Sequence, residues 1–75
     1  YEQNVLDLGL TKAKVRLISN GGGLVYAPLG CTHLATEDVA IMRAIPNMCV
    51  IVPCDAEEME RAVRASEHYP GPIYF

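Results

Sequence analysis

Tyr1, Val5 and Leu8 recur at the spacing of one helical face and predict a helix over residues 1–12, weakened by Gly9. Lys12 and Lys14 lie where a helix C-terminal turn welcomes cations. Val15–Ser19 is short and aliphatic and stops at Asn20-Gly21-Gly22-Gly23, the pattern of a strand entering a loop. That loop runs to about residue 35. Thr36-Glu37-Asp38 then opens a helix, with Thr36 as the expected N-cap, and Pro46 ends it. Met48–Val52 is a nearly unbroken apolar run of the kind a parallel strand shows when both its faces are covered. Asp55 caps a further helix to about His68, with Met59, Ala62 and Val63 on its inner face. Its wet face carries Glu57–Arg61 and Glu60–Arg64 at the i,i+4 spacing. Tyr69-Pro70-Gly71-Pro72 is a turn, and Ile73-Tyr74-Phe75 begins a strand.

The order α, β, loop, α, β, α, β implies an α/β fold with a parallel sheet and crossover connections. The helical start has no cap before Tyr1, and the chain stops on an apolar strand. It therefore reads as a partial domain spanning residues 1–75.

Composition narrows the function. Hydrophobic residues make up 51% of the 75 and charged residues 20%, which argues for a packed chain over a disordered one. Net charge is −3 with no basic run, so nucleic acid is a poor partner. No apolar run approaches the roughly 20 residues of a membrane span. Three cysteines without C-x-x-C spacing, Cys31, Cys49 and Cys54, fit a reduced, cytoplasmic protein. Cys49 and Cys54 flank the apolar run and are expected to be buried.

In open parallel sheets ligands bind beyond the C-terminal ends of the strands, and the loop from Asn20 to Ala35 leaves such an end. It holds Tyr26, Cys31, Thr32 and His33. The glycines lack both G-x-G-x-x-G and a following Gly-Lys-Ser/Thr, so they indicate a sharp bend or close approach, not a phosphate cradle. An imidazole at His33 suits a helix cap, a surface position, or a hydrogen bond to a substrate hydroxyl. His68, at a helix end, is expected on the surface. Glu37 and Asp38 lie in a first helical turn, where acids mostly serve the dipole, with general base as the sharper alternative.

Longer words carry more. Gly30-Cys31-Thr32-His33-Leu34-Ala35-Thr36-Glu37-Asp38 resembles the Gly-x-Thr-His-x-x-x-Glu-Asp segment of transketolase-like enzymes. Met42-Arg43-Ala44-Ile45-Pro46-Asn47-Met48, the Pro53-x-Asp55-x-x-Glu58 helix start and Gly71-Pro72-Ile73-Tyr74 are similar to that family's segments in the same order. The resemblance, which spans essentially the whole chain, implies part of a three-layer domain that covers the aminopyrimidine of thiamine diphosphate. It also implies a diphosphate-binding domain, in the same or another chain, that holds the diphosphate and Mg, a homodimer, and ketol transfer between sugar phosphates. By the match of Thr32-His33, His33 takes the place of a histidine that faces the substrate, with the implied role of hydrogen-bonding the sugar's oxygens and assisting proton transfer, and Thr32 beside it is an expected substrate-binding residue. Leu29 stands where the family carries an acid for a substrate hydroxyl, and an apolar side chain cannot replace that hydrogen bond. The glutamate that activates the pyrimidine and the Gly-Asp-Gly diphosphate motif are expected in other segments, so these residues alone are expected to be inactive. Deoxyxylulose-phosphate synthase is the nearest enzyme alternative, though Glu37 favours transketolase. A non-catalytic domain that kept the fold is the alternative of another class.

Overall fold

The computed structural model describes all of residues 1–75. Its centre is a three-stranded parallel sheet of β1 (Arg16–Leu17), β2 (Cys49–Val50) and β3 (Ile73–Tyr74), in the order β1-β3-β2. The last strand in sequence is thus the middle one in space. Arg16 and Cys49 both stand opposite Ile73, and Leu17 and Val50 both stand opposite Tyr74. The ladders reach further than the formal strands. Val15 accepts from Ile73 N–H at 2.9 Å, Ser19 N–H donates to Phe75 at 3.0 Å and Ile51 N–H to Tyr74 at 2.9 Å.

Two α-helices flank the sheet in the chain, α1 (Asp38–Arg43) and α2 (Ala56–Ser66). Helix α2 starts as its sequence dictates. Asp55 is extended at the N-cap, and its Oδ1 accepts from Glu58 N–H at 2.7 Å. Glu58 reaches back to Cys54 N–H at 2.6 Å, a reciprocal arrangement close to a capping box. That backbone contact holds the Glu58 carboxyl below its usual range. Both i,i+4 pairs form, at 2.8 Å for Arg64–Glu60 and 4.0 Å for Arg61–Glu57. They are solvent-exposed and contribute little. The inner stripe of α2 is Met59, Ala62 and Ser66, and Val63 is more open than its spacing suggests.

Helix α1 departs from its expected start. Glu37 is the N-cap residue and makes no side-chain cap bond. Thr36 instead donates its hydroxyl to Glu37 Oε2 at 3.0 Å, so the two side chains satisfy each other. The N-terminal helix is wound as a π-helix over Asn4–Leu10, with Ala13 N–H donating to Leu8 O at 3.0 Å. The wider winding breaks the 1, 5, 8 stripe: Val5 and Leu8 are half-buried, Tyr1 is exposed, and Gly9 is the buried residue. A Cβ on Gly9 would meet Ile45 Cγ2 and Pro46 O, each at 2.7 Å. Asn47 Nδ2 fastens this contact by donating to Gly9 O at 3.0 Å.

The chain is flat, 38 × 31 × 13 Å, and only 8 of 75 residues are buried, so most apolar faces are open. Met48–Val52 is accordingly half-covered and not enclosed: Val52 is 70% exposed. Cys49 is half-buried and Cys54 exposed, which corrects the expectation that both are buried. No helix is long and apolar enough to cross a membrane.

Arg16 is the polar tie of the fold. Its guanidinium donates to four carbonyls: Val15 at 3.1 Å, Gly71 at 2.8 Å, Tyr69 at 2.7 Å, and Ser66. Ser66 O belongs to the last turn of α2, where orphan carbonyls and the helix dipole favour a cation. One side chain thus fastens β1, the end of α2 and the turn into β3. In the full protein, Arg16→Met is expected to cost about 2 kcal/mol, measured by denaturant unfolding, because charge-assisted bonds to half-buried carbonyls are lost. Arg16→Lys should recover only part, since an ammonium cannot fork to several acceptors. A loss below about 0.5 kcal/mol for Arg16→Met would show that water replaces the guanidinium.

Candidate functional site

The C-terminal ends of all three strands open onto one cleft of about 580 Å³. Ser19 and the Asn20–Gly23 stretch follow β1, Ile51–Pro53 follow β2, and Tyr74 and Phe75 end β3. Asp38 and Val39 from α1 and Met59 from α2 complete the wall. This is the position where open parallel sheets bind ligands. The walls mix apolar side chains with a few polar ones, as small-molecule sites do.

The glycine run bends sharply, as its composition suggests. Gly21 and Gly23 take left-handed φ of 75° and 66°. The Tyr26 ring lies so close to Gly21 that a Cβ there would overlap it. Beyond Gly23 the chain makes two 3-10 turns, Ala27–Leu29 and Cys31–His33. It then returns to pair with its own start: Gly23 N–H donates to Ala35 O at 2.8 Å, and Ala35 N–H to Gly23 O at 3.1 Å.

Thr32 and His33 are exposed on the second turn, and neither lines the cleft. Thr32 Oγ1 lies 2.9 Å from His33 Nδ1, while Nε2 makes no hydrogen bond within the chain. With the hydroxyl donating to Nδ1, the ring proton sits on Nε2 and faces outward as a donor. Cys31 and Leu29 are exposed on the same loop, Leu29 at 59%. His68 is on the surface, as expected. The Cys54 thiol is pushed up by the Glu58 carboxylate, first through its hydrogen bond and then through its charge, so it is not an activated nucleophile.

One polar cluster in the cleft escapes sequence reasoning. Tyr74 is buried, yet its hydroxyl donates to Asp38 Oδ2 at 2.7 Å and lies 2.7 Å from Ser19 Oγ. With the phenol proton on Asp38, the single Ser19 proton turns to the phenol oxygen, and Phe75 O, 3.1 Å from Ser19 Oγ, is its alternative acceptor. Asp38 Oδ2 is therefore engaged by a phenol. A Tyr between Ile73 and Phe75 in an otherwise apolar strand was the available signal, because a buried phenol needs a partner. Burial pushes the Tyr74 phenol above its ordinary value of 10.0. Ser19's hydrogen bond opposes this, and Asp38 adds to it.

The sign of the pH effect follows. Above about pH 10 the unfolded chain releases the phenolic proton before the folded chain does, so stability falls as pH rises. The stability advantage of the parent over Tyr74→Phe in the full protein should be constant up to about pH 9 and shrink above about pH 10, read from urea midpoints. A constant difference across that range would contradict the buried, hydrogen-bonded phenol.

Comparison with known proteins covers the same ground. The family model described as the transketolase pyrimidine-binding domain matches residues 1–75. A subunit of an apulose-4-phosphate transketolase from Phocaeicola vulgatus is 36% identical over 73 residues, 97% of this chain and 23% of that protein. A putative transketolase C-terminal section from Methanocaldococcus jannaschii is 40% identical over 63 residues, 84% of this chain and 20% of its own length. A 1-deoxy-D-xylulose-5-phosphate synthase from Xylella fastidiosa is 36% identical over 73 residues, 97% of this chain and 11% of the enzyme. The chain thus spans less than a quarter of the length of each of these relatives.

Proposed function

Because the chain belongs to the transketolase pyrimidine-binding domain family, we propose that it is part of a thiamine-diphosphate-dependent transferase that moves a two-carbon ketol unit between sugar phosphates. The observation that carries this reading is the family match over all of residues 1–75, with Thr32-His33 on a loop at the C-terminal edge of the sheet. The chain acts with a diphosphate-binding domain, in the same or another polypeptide, in a homodimer in the cytoplasm.

The cleft fits the cofactor's pyrimidine end. Val39, Ile51, Met59 and Phe75 offer an apolar lining for a flat heteroaromatic ring, and Asn20 and Thr36 offer polar atoms at its rim. These residues would cover the ring and exclude water. When bound, thiamine diphosphate supplies the carbanion-stabilising centre for ketol transfer. The residues here provide no cluster of three or more His, Cys, Asp or Glu groups able to hold a metal. The accompanying Mg would sit with the diphosphate, held by the diphosphate-binding domain.

His33 hydrogen-bonds the oxygens of the donor sugar through Nε2 and assists proton transfer there, with Thr32 holding its ring through Nδ1. Leu29 offers no acceptor for a sugar hydroxyl, which favours a donor that does not depend on that contact. The Xylella fastidiosa relative supports a second reading, a synthase that takes its two-carbon unit from pyruvate.

The test uses the complete enzyme with thiamine diphosphate, magnesium and glyceraldehyde phosphate as acceptor. Consumption of a ketose phosphate donor supports the transketolase reading, and consumption of pyruvate supports the synthase. Turnover of neither would leave a non-catalytic domain. In the active enzyme, His33→Ala should lower ketol transfer by roughly 10²–10⁴-fold. Thiamine diphosphate affinity, measured by calorimetry, should stay close to the parent's. Equal turnover in mutant and parent would remove His33 from the mechanism.

A further inference from the structure

The loop that carries His33 has two stems, and one side chain holds both. Ser19 is the residue at which β1 gives way to the loop, and Asp38 is the first residue of α1, where the loop ends. The Tyr74 hydroxyl lies 2.7 Å from each, at Ser19 Oγ and Asp38 Oδ2. Tyr74 itself is on β3, which is hydrogen-bonded on both sides and is the most buried part of the chain. Inside this clasp, the paired hydrogen bonds of Gly23 and Ala35 close the loop a second time. The segment between them, which holds Tyr26, Leu29, Thr32 and His33, is exposed almost throughout and packs little against the body of the chain. Its placement therefore depends on how its ends are fixed.

We propose that Tyr74 is a positioning residue: its hydroxyl, shared between Ser19 and Asp38, sets the two stems of the loop against the central strand and so fixes where His33 is presented. Three polar groups meet at one point in the wall of the cleft, and the phenol is the one that touches both stems. Removing the hydroxyl leaves Asp38 without its donor and Ser19 held only through Phe75 O, so water can enter and the stems can separate. The ring of Tyr74 fills space on β3 independently, so Tyr74→Phe keeps the strand while releasing the stems. The structural part of this proposal stands without the ketol-transfer reading, whereas its consequence for turnover rests on it.

The experiment is amide hydrogen exchange on the complete enzyme, comparing the parent with Tyr74→Phe and with Asp38→Asn. Tyr74→Phe should speed exchange at the hydrogen-bonded amides of Gly23 and Ala35, which close the loop, by roughly tenfold, on the order of the loss of one net hydrogen bond. The β3 amides of Ile73 and Phe75 should exchange at close to parental rates. Asp38→Asn keeps an acceptor for the phenol and should preserve most of the loop protection, whereas Asp38→Ala should behave like Tyr74→Phe. A second readout is kinetic. If His33 contacts the donor, Tyr74→Phe should raise KM for the donor, and Asp38→Asn should raise it less. Unaltered loop exchange in Tyr74→Phe would overturn the proposal whatever the enzyme's reaction. Equal acceleration in the loop and in β3 would also overturn it, by showing a purely global loss of stability. Faster loop exchange in a protein that turns over no ketol donor would leave the clasp standing and reject the functional reading instead.

Discussion

Strand β3 carries the hydrogen bonds of both neighbouring strands, and neither β1 nor β2 has another partner in the sheet. The run Gly71–Phe75 is also the longest buried stretch of the chain. Most other contacts are arranged around it. Arg16 ties the turn before β3 to β1 and to the end of α2, and Tyr74 ties β3 itself to the two ends of the site loop. A parallel sheet with its middle strand last in sequence must close two long connections before that strand gains its hydrogen bonds, an entropic cost that comes early and is offset late.

The same geometry sets the site. Parallel strands put all three C-terminal ends on one edge, so the segments after β1, β2 and β3 converge on a single cleft although they are far apart in sequence. The sheet supplies rigidity and the exposed loop carries the candidate residues Thr32 and His33, an arrangement common in α/β proteins. Exposed Ile18, Val52, Leu24 and Val25 show how little of the apolar surface the 75 residues cover among themselves. A chain this small buries too little to be strongly stable alone.

Much of the fold was legible because its signals are local. The Asp55 cap, the i,i+4 pairs of α2, the Pro46 stop and the glycine bend each depend on a few neighbouring residues. The parallel sheet followed from the alternation of strands and helices. What escaped is non-local or tertiary. Strand order depends on pairings between residues 24 and 57 positions apart in the register Cys49↔Ile73↔Arg16. The π winding of Asn4–Leu10 accompanies the close packing of Gly9 on Ile45 and Pro46, which no periodicity encodes. Thr36 is not the cap because the helix begins one residue later than its pattern suggests, which makes Glu37 the N-cap residue and leaves the Thr36 hydroxyl to donate to the Glu37 carboxylate. At the site, the loop and its Thr32-His33 pair were visible through their words. The Ser19–Tyr74–Asp38 cluster was not, since its members come from three distant segments.

The measurement that tests the central claim most directly is a crystal structure of the complete enzyme with thiamine diphosphate and a bound sugar phosphate. The expected result is the pyrimidine ring against the cleft bounded by Val39, Ile51 and Met59, with His33 Nε2 about 3 Å from a donor oxygen. A ring seated elsewhere, or His33 facing solvent with no substrate atom within hydrogen-bond reach, would contradict it.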